Sequence, residues 1–436
     1  MSDKIVFRPV DKGRSFFRFV ETYCLEEQDG VTINKPFHRL CSLARKMDVK
    51  TAIIEELSQP DDPIITECIA LKTHCGVEPE FKIFRITFVK ETVDSFAQVT
   101  ELDDDAFLTT TTVINFKIKE DPWRSYVFSA ICREPKIFNH LKFGTIPLLN
   151  NYLHVRRTFE CAIQSGSASK NFSITGSFFS QQNKITSVCA HAALCVTINN
   201  LNLEGSELIY PERVNEIMGV NHTSRRLGPE DVSKEDTLKV LERFGLTIDW
   251  RDFDANPDPI NYRDFVYQHI ESGSPVLLVF SIDDRVSHVV PVLGHTLNTD
   301  VWAPEAVPAY LGDEPSRFED FYASVRAWVD HFIIHDDNFG MYFCLPADTF
   351  SQTPVVSTGD KSRLHVWLAA GVIPSGVITP GWEAEAACTL MVTSLFKEFQ
   401  EQDTSLDEWN KRILSSLNMA PSQKLLIRTF LVSRHT

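Results

Sequence analysis

Apolar residues follow two different periodicities along the first half of the chain. Phe37, Leu40, Leu43 and Ala44 recur at helical intervals, and we predict that residues 1–60 are largely helical. From about residue 80 the pattern changes to runs rich in β-branched and aromatic residues with partial alternation, which predict strands. The strands predicted in this part lie at 81–89, 109–117, 126–131, 152–161 and 172–179.

The helical period returns after residue 186. Residues 187–199 (SVCAHAALCVTIN) predict a helix that Thr186 or Ser187 can cap. A capping box at 233–236 predicts another helix, which stops at Gly245. The remaining predicted elements are a helix at 262–271, strands at 276–280, 288–293, 332–335 and 341–345, and tail helices at 382–399 and from 405.

This order of elements predicts an α+β fold with two or three domains, as the length of 436 residues allows. We expect a mixed α+β N-terminal region of unknown role at 1–170. A domain at 171–350 would pack its first helix on an antiparallel sheet, and a C-terminal helical extension at 351–436 would pack on that domain.

The composition narrows the class of partner. Hydrophobic residues make up 43% and charged residues 23%, as in soluble globular proteins, and the net charge is −16. This acidic balance argues against a nucleic-acid partner and against anionic membrane surfaces. The N-terminus lacks the apolar core of a signal peptide, and no apolar run is long enough to span a bilayer. We therefore expect a cytoplasmic protein without a membrane partner, and the oligomeric state stays open.

The ten cysteines are scattered, and none form a CxxC pair. We therefore predict no metal and no cofactor, and most of the cysteines as buried, reduced thiols. Cys189 differs because it opens the helix predicted at 187–199, and the N-terminus of a helix can stabilise a thiolate. Cys195 lies nearly two turns further into that helix, where a thiol would be inert.

A thiolate nucleophile needs a base from elsewhere in the chain. His288, at the start of an apolar strand, is the best candidate, whereas His191 on the predicted helix faces another side and is interpreted as structural. A catalytic imidazole also needs an acceptor at its second nitrogen. Asp336 or Asp337, at the end of the next strand, can supply it, although these residues equally fit a simple turn.

An oxyanion donor is the fourth part of such a site. Gln182, with Gln181 as the alternative, lies shortly before Cys189. A glutamine amide beside the backbone N–H of Cys189 would stabilise a tetrahedral intermediate. A pair of glutamines before a helix is, by itself, more often ordinary loop polarity.

In this order and spacing, the residues resemble the papain-like cysteine peptidase superfamily, closest to the C39-like peptidases that cleave leader peptides from bacteriocins. The resemblance covers roughly residues 175–345. It implies a papain-like catalytic domain that cleaves a peptide or isopeptide bond in a protein or peptide substrate. The matching positions are Gln182, 189–194 (CAHAAL), 273–275 (GSP), 288–294 (HVVPVLG) and Asp336, which imply Cys189 as nucleophile, His288 as base, Asp336 as its orienting group and Gln182 as oxyanion donor.

The chain also departs from the family pattern. Ala190 replaces the usual glycine after the cysteine, and the loop from Gln182 to Cys189 is one residue longer than usual. An acidic, aromatic insertion at about 297–330 fits either a lid or a packed excursion. Two alternatives therefore stay open: a transglutaminase- or amidase-like acyl transferase with the same residues, and a catalytically silent papain-like domain that binds proteins.

Overall fold

The computed structural model describes most of the chain between residues 35 and 298, together with several shorter segments. The described ranges are 2–10, 35–135, 155–201, 207–222, 232–253, 261–282, 286–298, 329–351 and 364–376, with short strands at 142–143, 146–147, 149–153, 322–324 and 425–427 and the single residues Leu203, Ala387 and Met391. Within these ranges, the helices are all too short or too polar to cross a bilayer.

The fold is mixed α+β with antiparallel sheets. The strands are β1 (Ser2–Pro9), β2 (Thr51–Leu57), β3 (Glu80–Val89), β4 (Phe107–Lys117), β5 (Arg124–Arg133), β6 (Lys142–Phe143), β7 (Ile146–Pro147), β8 (Leu149–Leu153), β9 (Arg157–Ser165), β10 (Ala168–Phe179), β11 (Leu246–Asp252), β12 (Val276–Ile282), β13 (Val286–Asn298), β14 (Tyr322–Ser324), β15 (His331–Asp336), β16 (Gly340–Pro346), β17 (Phe350–Ser351), β18 (Leu364–Pro374) and β19 (Leu425–Ile427). The helices are α1 (Lys35–Lys46), α2 (Asp62–Cys75), α3 (Phe96–Thr100), α4 (Cys189–Asn200), α5 (Pro211–Met218), α6 (Lys234–Glu242) and α7 (Tyr262–Glu271).

The first sheet has the order β1-β2-β3-β4-β5-β10-β9, and every neighbouring pair is antiparallel. Successive residues of a strand point to opposite sides of a sheet, and in this sheet both sides are packed against other residues. Phe84 and Val127 join the larger core, whereas their neighbours Ile83 and Phe128 pack with Ile64 of α2 in a smaller cluster.

The second sheet has the order β11-β18-β12-β13-β15-β16. Strand β8 also pairs with β13, and β17 pairs in parallel with β18. Helix α4, which begins at Cys189, packs on β13, and α7 packs on β13 and β18. A helix that carries the candidate nucleophile therefore lies on an antiparallel sheet, as the sequence predicts.

Several predicted elements are confirmed. Helix α7 has the predicted bounds, and the Oγ of Ser233 accepts the N–H of Asp236 at 3.0 Å at the predicted capping box. The cap predicted for α4 is wrong, because its N-cap residue is Val188. The hydroxyl of Ser187 instead accepts the N–H of Asn183 at 3.0 Å inside the preceding loop.

The prediction that residues 1–60 are largely helical is wrong, because α1 is followed by β2, with which β1 pairs antiparallel. Residues 51–55 (TAIIE) are all buried, so the start of this strand shows no alternation of apolar and polar positions. The strand predicted at 152–161 is two strands, β8 and β9, in different sheets.

The described part of the predicted C-terminal helical extension consists mainly of strands. β18 lies between β11 and β12 in the second sheet, where burial on both sides produces a continuous apolar run that resembles a helix segment. Of the helix predicted at 382–399 only Ala387 and Met391 are described, and both are helical. The rest of that helix, most of the region from 405 and most of the insertion at 297–330 lie outside the described residues. The domain boundaries near 170 and 350 stay predictions.

The two sheets share one hydrophobic core, which contains residues of α1, both sheets and α4. Polar contacts also join them. The hydroxyl of Tyr342 in β16 donates to the carbonyl of Cys132 in β5 at 2.8 Å. The side chain of Arg39 in α1 donates to the carbonyls of Met341 at 3.1 Å and Tyr342 at 2.6 Å. The N-terminal region therefore packs directly against the sheet that carries His288 and Asp336.

Candidate functional site

Cys189 is the first residue of α4 and is half-buried. The helix begins here because Val188 is extended, with φ −120° and ψ 178°, and its carbonyl accepts the N–H of His191 at 3.0 Å. The first N–H groups of a helix have no acceptor within the helix, so they attract negative charge. The sulfur of Cys189 therefore lies at a helix end that favours an anion.

His288 lies on β13 opposite Phe280 of β12, and the two rings form an edge-to-face contact with centroids 5.5 Å apart. Only 7% of His288 is exposed. Its Nε2 lies 3.3 Å from Oδ2 of Asp336, and the ring also interacts with the side chain of Cys189, which lines the same cleft. The structure therefore brings together three side chains that are far apart in the sequence.

The two candidate acceptors lie at the end of β15 and differ in how they are held. Oδ1 of Asp336 accepts the backbone N–H groups of Asn338 at 2.7 Å and Phe339 at 3.2 Å, which leaves Oδ2 for His288. Oδ1 of Asp337 is slightly further from the ring, at 3.5 Å from Nε2. The turn after β15 fixes the Asp336 carboxylate, and the same carboxylate contacts His288. The two interpretations of these residues, as a turn and as an acceptor for the histidine, are therefore compatible.

Burial lowers the pKa of His288, but the opposing effects are larger. Hydrogen bonds to Asp336 and Cys189, with the charges of Asp337 and Asp336, raise this pKa to about 10. Burial raises the pKa of Asp337 to about 6, although the charge of His288 and a hydrogen bond from Gln182 act in the opposite direction. The imidazole is therefore protonated in this environment at neutral pH.

The two glutamines before Cys189 have different neighbours. Gln181 is tied to β5, where its Oε1 accepts the N–H of Val127 at 3.0 Å and its N–H donates to the Val127 carbonyl at 2.9 Å. The side chain of Gln182 interacts with the carboxylate of Asp337 and lowers its pKa. Of the two, Gln182 belongs to the cluster around His288.

Sequence reasoning missed Asn183, which shapes the loop before Cys189. Its Oδ1 accepts the backbone N–H groups of Ile185 and Thr186, both at 2.8 Å, and of Ser187 at 3.2 Å. Asparagine commonly stabilises turns through such bonds to the following backbone, so an Asn before a helix start was an available signal. Asn338 was missed as well, and its Nδ2 lies 3.5 Å from Nε2 of His288.

His191 is buried and hydrogen-bonded on both sides of its ring. Its Nδ1 accepts the N–H of Val188 at 3.3 Å, and its Nε2 lies 2.8 Å from Oδ1 of Asn215 in α5. The Nδ2 of Asn215 in turn donates to the Thr186 carbonyl at 3.0 Å. His191 thus holds the start of α4, in agreement with its structural interpretation.

A cleft of about 560 Å³ opens beside Cys189 and His288, between α4, α6 and the second sheet. Its walls are mostly apolar, as in pockets that bind small molecules or side chains. They include Leu194, Trp250, Leu277, Val279 and Trp367, with Lys234 of α6. A substrate that enters this cleft would bring a bulky apolar group next to the thiol.

Most other described thiols are poorly suited to nucleophilic chemistry. Burial raises the pKa of Cys68, Cys132, Cys161 and Cys344 to about 12, and that of Cys195 well above its ordinary range. A thiol reacts through its anion, so these cysteines are expected to react slowly at neutral pH.

His288, Asp336 and Asp337 also offer three ligand atoms within 4.8 Å of one another. An imidazole and two carboxylates suit several divalent cations, so the donor set is chemically compatible with a metal. In the structure, however, Nε2 of His288 and Oδ2 of Asp336 are directed at each other. The predicted absence of a metal stays an expectation.

The geometry thus unites four of the residues singled out from the sequence, Cys189, His288, Asp336 and Gln182, with Asp337 beside them. Comparisons of the chain with protein-family models, with curated proteins and with solved structures find no match.

Proposed function

We propose that the chain is a papain-like cysteine hydrolase that cleaves a peptide or isopeptide bond. The observation that carries the proposal is the position of His288, whose Nε2 lies 3.3 Å from the Asp336 carboxylate and whose ring interacts with the Cys189 side chain in the same cleft. This order of nucleophile, base and orienting acid is the one that covalent acyl transfer requires.

The proposed reaction has two steps. The thiolate of Cys189 attacks the substrate carbonyl, and the tetrahedral intermediate collapses to a thioester as His288 protonates the leaving amine. His288 then takes a proton from water, which attacks the thioester and releases the acid. Because Asp336 occupies Nε2, Nδ1 is the ring nitrogen left to exchange protons with the thiol and the leaving group.

The backbone N–H of Cys189 is proposed as the principal oxyanion donor, since it belongs to the first turn of α4. Gln182 is proposed as the second donor. Its side chain interacts with Asp337, so this role requires the amide to turn from Asp337 towards the substrate carbonyl. The apolar cleft favours substrates with a large apolar side chain near the scissile bond.

The test uses two probes of different chemistry. Iodoacetamide alkylates a thiolate directly, whereas 4-nitrophenyl acetate acylates it through a tetrahedral oxyanion. We expect rapid modification of Cys189 by both at pH 6–7, located by peptide mass spectrometry. Cys189→Ala should abolish the rapid acylation, and His288→Gln should slow it by about 100-fold or more. Cys344→Ala is the matched control, because this half-buried thiol has a pKa raised by burial.

The rivals give different results in the same assay. An acyl transferase would form amide product when a primary amine is added to the acylated protein. A silent binding domain would show slow, uniform labelling of several cysteines and no burst of 4-nitrophenolate. A divalent-cation site at His288, Asp336 and Asp337 would make labelling of Cys189 sensitive to EDTA and would raise the melting temperature on addition of Zn²⁺ or Mn²⁺.

A further inference from the structure

We propose that Glu67, in helix α2 of the N-terminal region, is a positioning residue for chemistry at Cys189 and acts through Asn183. The inference rests on the proposed function. It assigns a role to a region whose purpose the sequence leaves open, because it makes the first sheet and its helices a structural part of the site.

Glu67 is a buried carboxylate with two specific donors. It is 1% exposed, and its Oε1 accepts the hydroxyl of Tyr126 in β5 at 2.9 Å and the Nδ2 of Asn183 at 2.7 Å. Burying a carboxylate is costly unless it is hydrogen-bonded, so these contacts are strongly favoured in the folded state. Tyr126 thus fixes Glu67 against the first sheet, and Glu67 fixes Asn183.

The contact decides which way the Asn183 amide faces. Nδ2 has two acceptors, Glu67 and the Thr186 hydroxyl, both at 2.7 Å. With Nδ2 held there, Oδ1 must face the loop, where it accepts the backbone N–H groups of residues 185, 186 and 187. If the Asn183 amide rotates by half a turn, it loses those three bonds. With Glu67 present it also loses the bond to the Glu67 carboxylate, so Glu67 makes the rotated state less favourable. Glu67 therefore selects the conformation of the loop.

That loop determines where the oxyanion donors lie. Gln182 precedes it, and Val188 and Cys189 follow it directly. An oxyanion donor acts only when its nitrogen lies about 3 Å from the oxygen that becomes charged, and small displacements reduce the rate strongly. The start of α4 has additional support, because His191 accepts the Val188 N–H and bonds to Asn215, which also holds the Thr186 carbonyl. Loss of Glu67 should therefore displace the Gln182 donor, at the other end of the loop, more than the Cys189 N–H in the first turn of α4.

A purely structural role for Glu67 is the competing explanation, and Glu55 provides the comparison. Glu55 is also fully buried, in β2, and its Oε1 accepts the N–H of Gln164 in β9 at 2.9 Å. Burial, as the largest effect, raises the pKa of both carboxyls to about 7. The two residues thus resemble each other in burial and titration but differ in what they hold, since Glu55 bonds to β9 and Glu67 to the loop before Cys189.

The experiment compares Glu67→Leu, Glu67→Gln and Glu55→Leu in the full chain with the two probes described above. Iodoacetamide needs the thiolate but no oxyanion donor, whereas 4-nitrophenyl acetate needs both. We expect Glu67→Leu to slow acylation of Cys189 by about tenfold or more, with an alkylation rate within about twofold of the unaltered protein. Glu67→Gln keeps an oxygen acceptor and should restore most of the acylation rate. Glu55→Leu should leave the ratio of the two rates unchanged, even if it lowers the melting temperature.

The outcomes separate this inference from the proposed function. If the unaltered protein shows no selective acylation of Cys189, the proposed function fails. If the unaltered protein is acylated and Glu67→Leu keeps the same ratio of acylation to alkylation, the positioning role is wrong. Asn183→Asp is the second variant, for use if Glu67→Leu does not fold, because it keeps the oxygen that faces the loop and removes the donor to Glu67. An unchanged ratio in this variant would likewise overturn the inference.

Discussion

At the scale of the residue, the protonation of His288 is the main electrostatic feature of the site. Two carboxylate oxygens lie within 3.5 Å of its Nε2. Burial lowers the pKa of His288, but the two carboxylates together with the Cys189 side chain outweigh it and raise this pKa to about 10, against about 6.5 in an unfolded chain. The protonated ring therefore stabilises the folded state fully below about pH 6.5, and this contribution is lost as the pH rises towards 10.

Replacement of Asp336 by Asn tests the origin of that shift. Asp336→Asn removes one charge and the strongest acceptor of the ring, so the pKa of His288 should fall by about one unit or more. The measurement is the NMR titration of the His288 Cε1–H resonance, assigned by its disappearance in His288→Gln. Asp330→Asn, at an exposed residue before β15, is the control. An unaltered-protein midpoint near 6.5, or the same midpoint in Asp336→Asn, would contradict this account of the site.

At the scale of the element, the turn between β15 and β16 positions the Asp336 carboxylate. The turn closes through Gly340, which has φ +104°, a conformation that other residues rarely adopt. A Cβ at this position would lie 2.8 Å from the Cβ of Arg39 and 3.1 Å from the Cα of Pro36, both in α1. The backbone conformation and the close approach of α1 therefore both require glycine.

Gly340→Ala should lower the free energy of unfolding through two effects, backbone strain and a clash of the new Cβ with α1. Gly376→Ala is the matched control, because Gly376 has φ +107° with no atom within 4 Å of an added Cβ. Strain of this kind costs about 1–3 kcal/mol, and the clash with α1 should add about 1–3 kcal/mol at Gly340 alone. Urea unfolding of both variants measures the difference. Equal losses would show that the packing of α1 on this turn is looser than the structure indicates.

At the scale of the whole molecule, the N-terminal region and the sheet that carries His288 form one packed unit. They share the larger core and are joined by the contacts of Arg39 and Tyr342 across the two sheets. Glu67 and Arg39 approach the site from two directions, one through the loop before Cys189 and the other through β16. We therefore expect the two parts to unfold together.

Arg39→Leu tests the contact between α1 and β16. The substitution leaves two backbone carbonyls without their charged donor, which should destabilise the protein by about 2–4 kcal/mol and lower the acylation rate of Cys189. Arg45→Leu, at an exposed arginine of the same helix, should have an effect within about 0.5 kcal/mol. Urea unfolding followed by both tryptophan fluorescence and far-UV circular dichroism measures the change. Two separate transitions in the unaltered protein would contradict the single unit.

Sequence patterns were reliable where a local rule dictates the structure. The capping box at Ser233, the bounds of α7 and the start of a helix at Cys189 follow from hydrogen bonds and periodicity within a few residues. They were unreliable where burial on two sides removes the alternation, as in β2 and β18. Such strands differ from helix segments only through the partners with which they pair.

The sequence by itself determined the candidate nucleophile, base and acid, because the chemistry of a thiolate restricts which residue types and positions can serve. Only the tertiary structure showed how the adjacent candidates differ, Gln181 from Gln182 and Asp336 from Asp337. It tied Gln181 to β5 and placed Gln182 by Asp337, it fixed Asp336 through two N–H groups of its turn, and it brought Glu67 to the loop before Cys189. These choices depend on contacts between residues that are far apart in the sequence, such as Glu67 and Asn183, 116 positions apart, and no local pattern encodes such contacts.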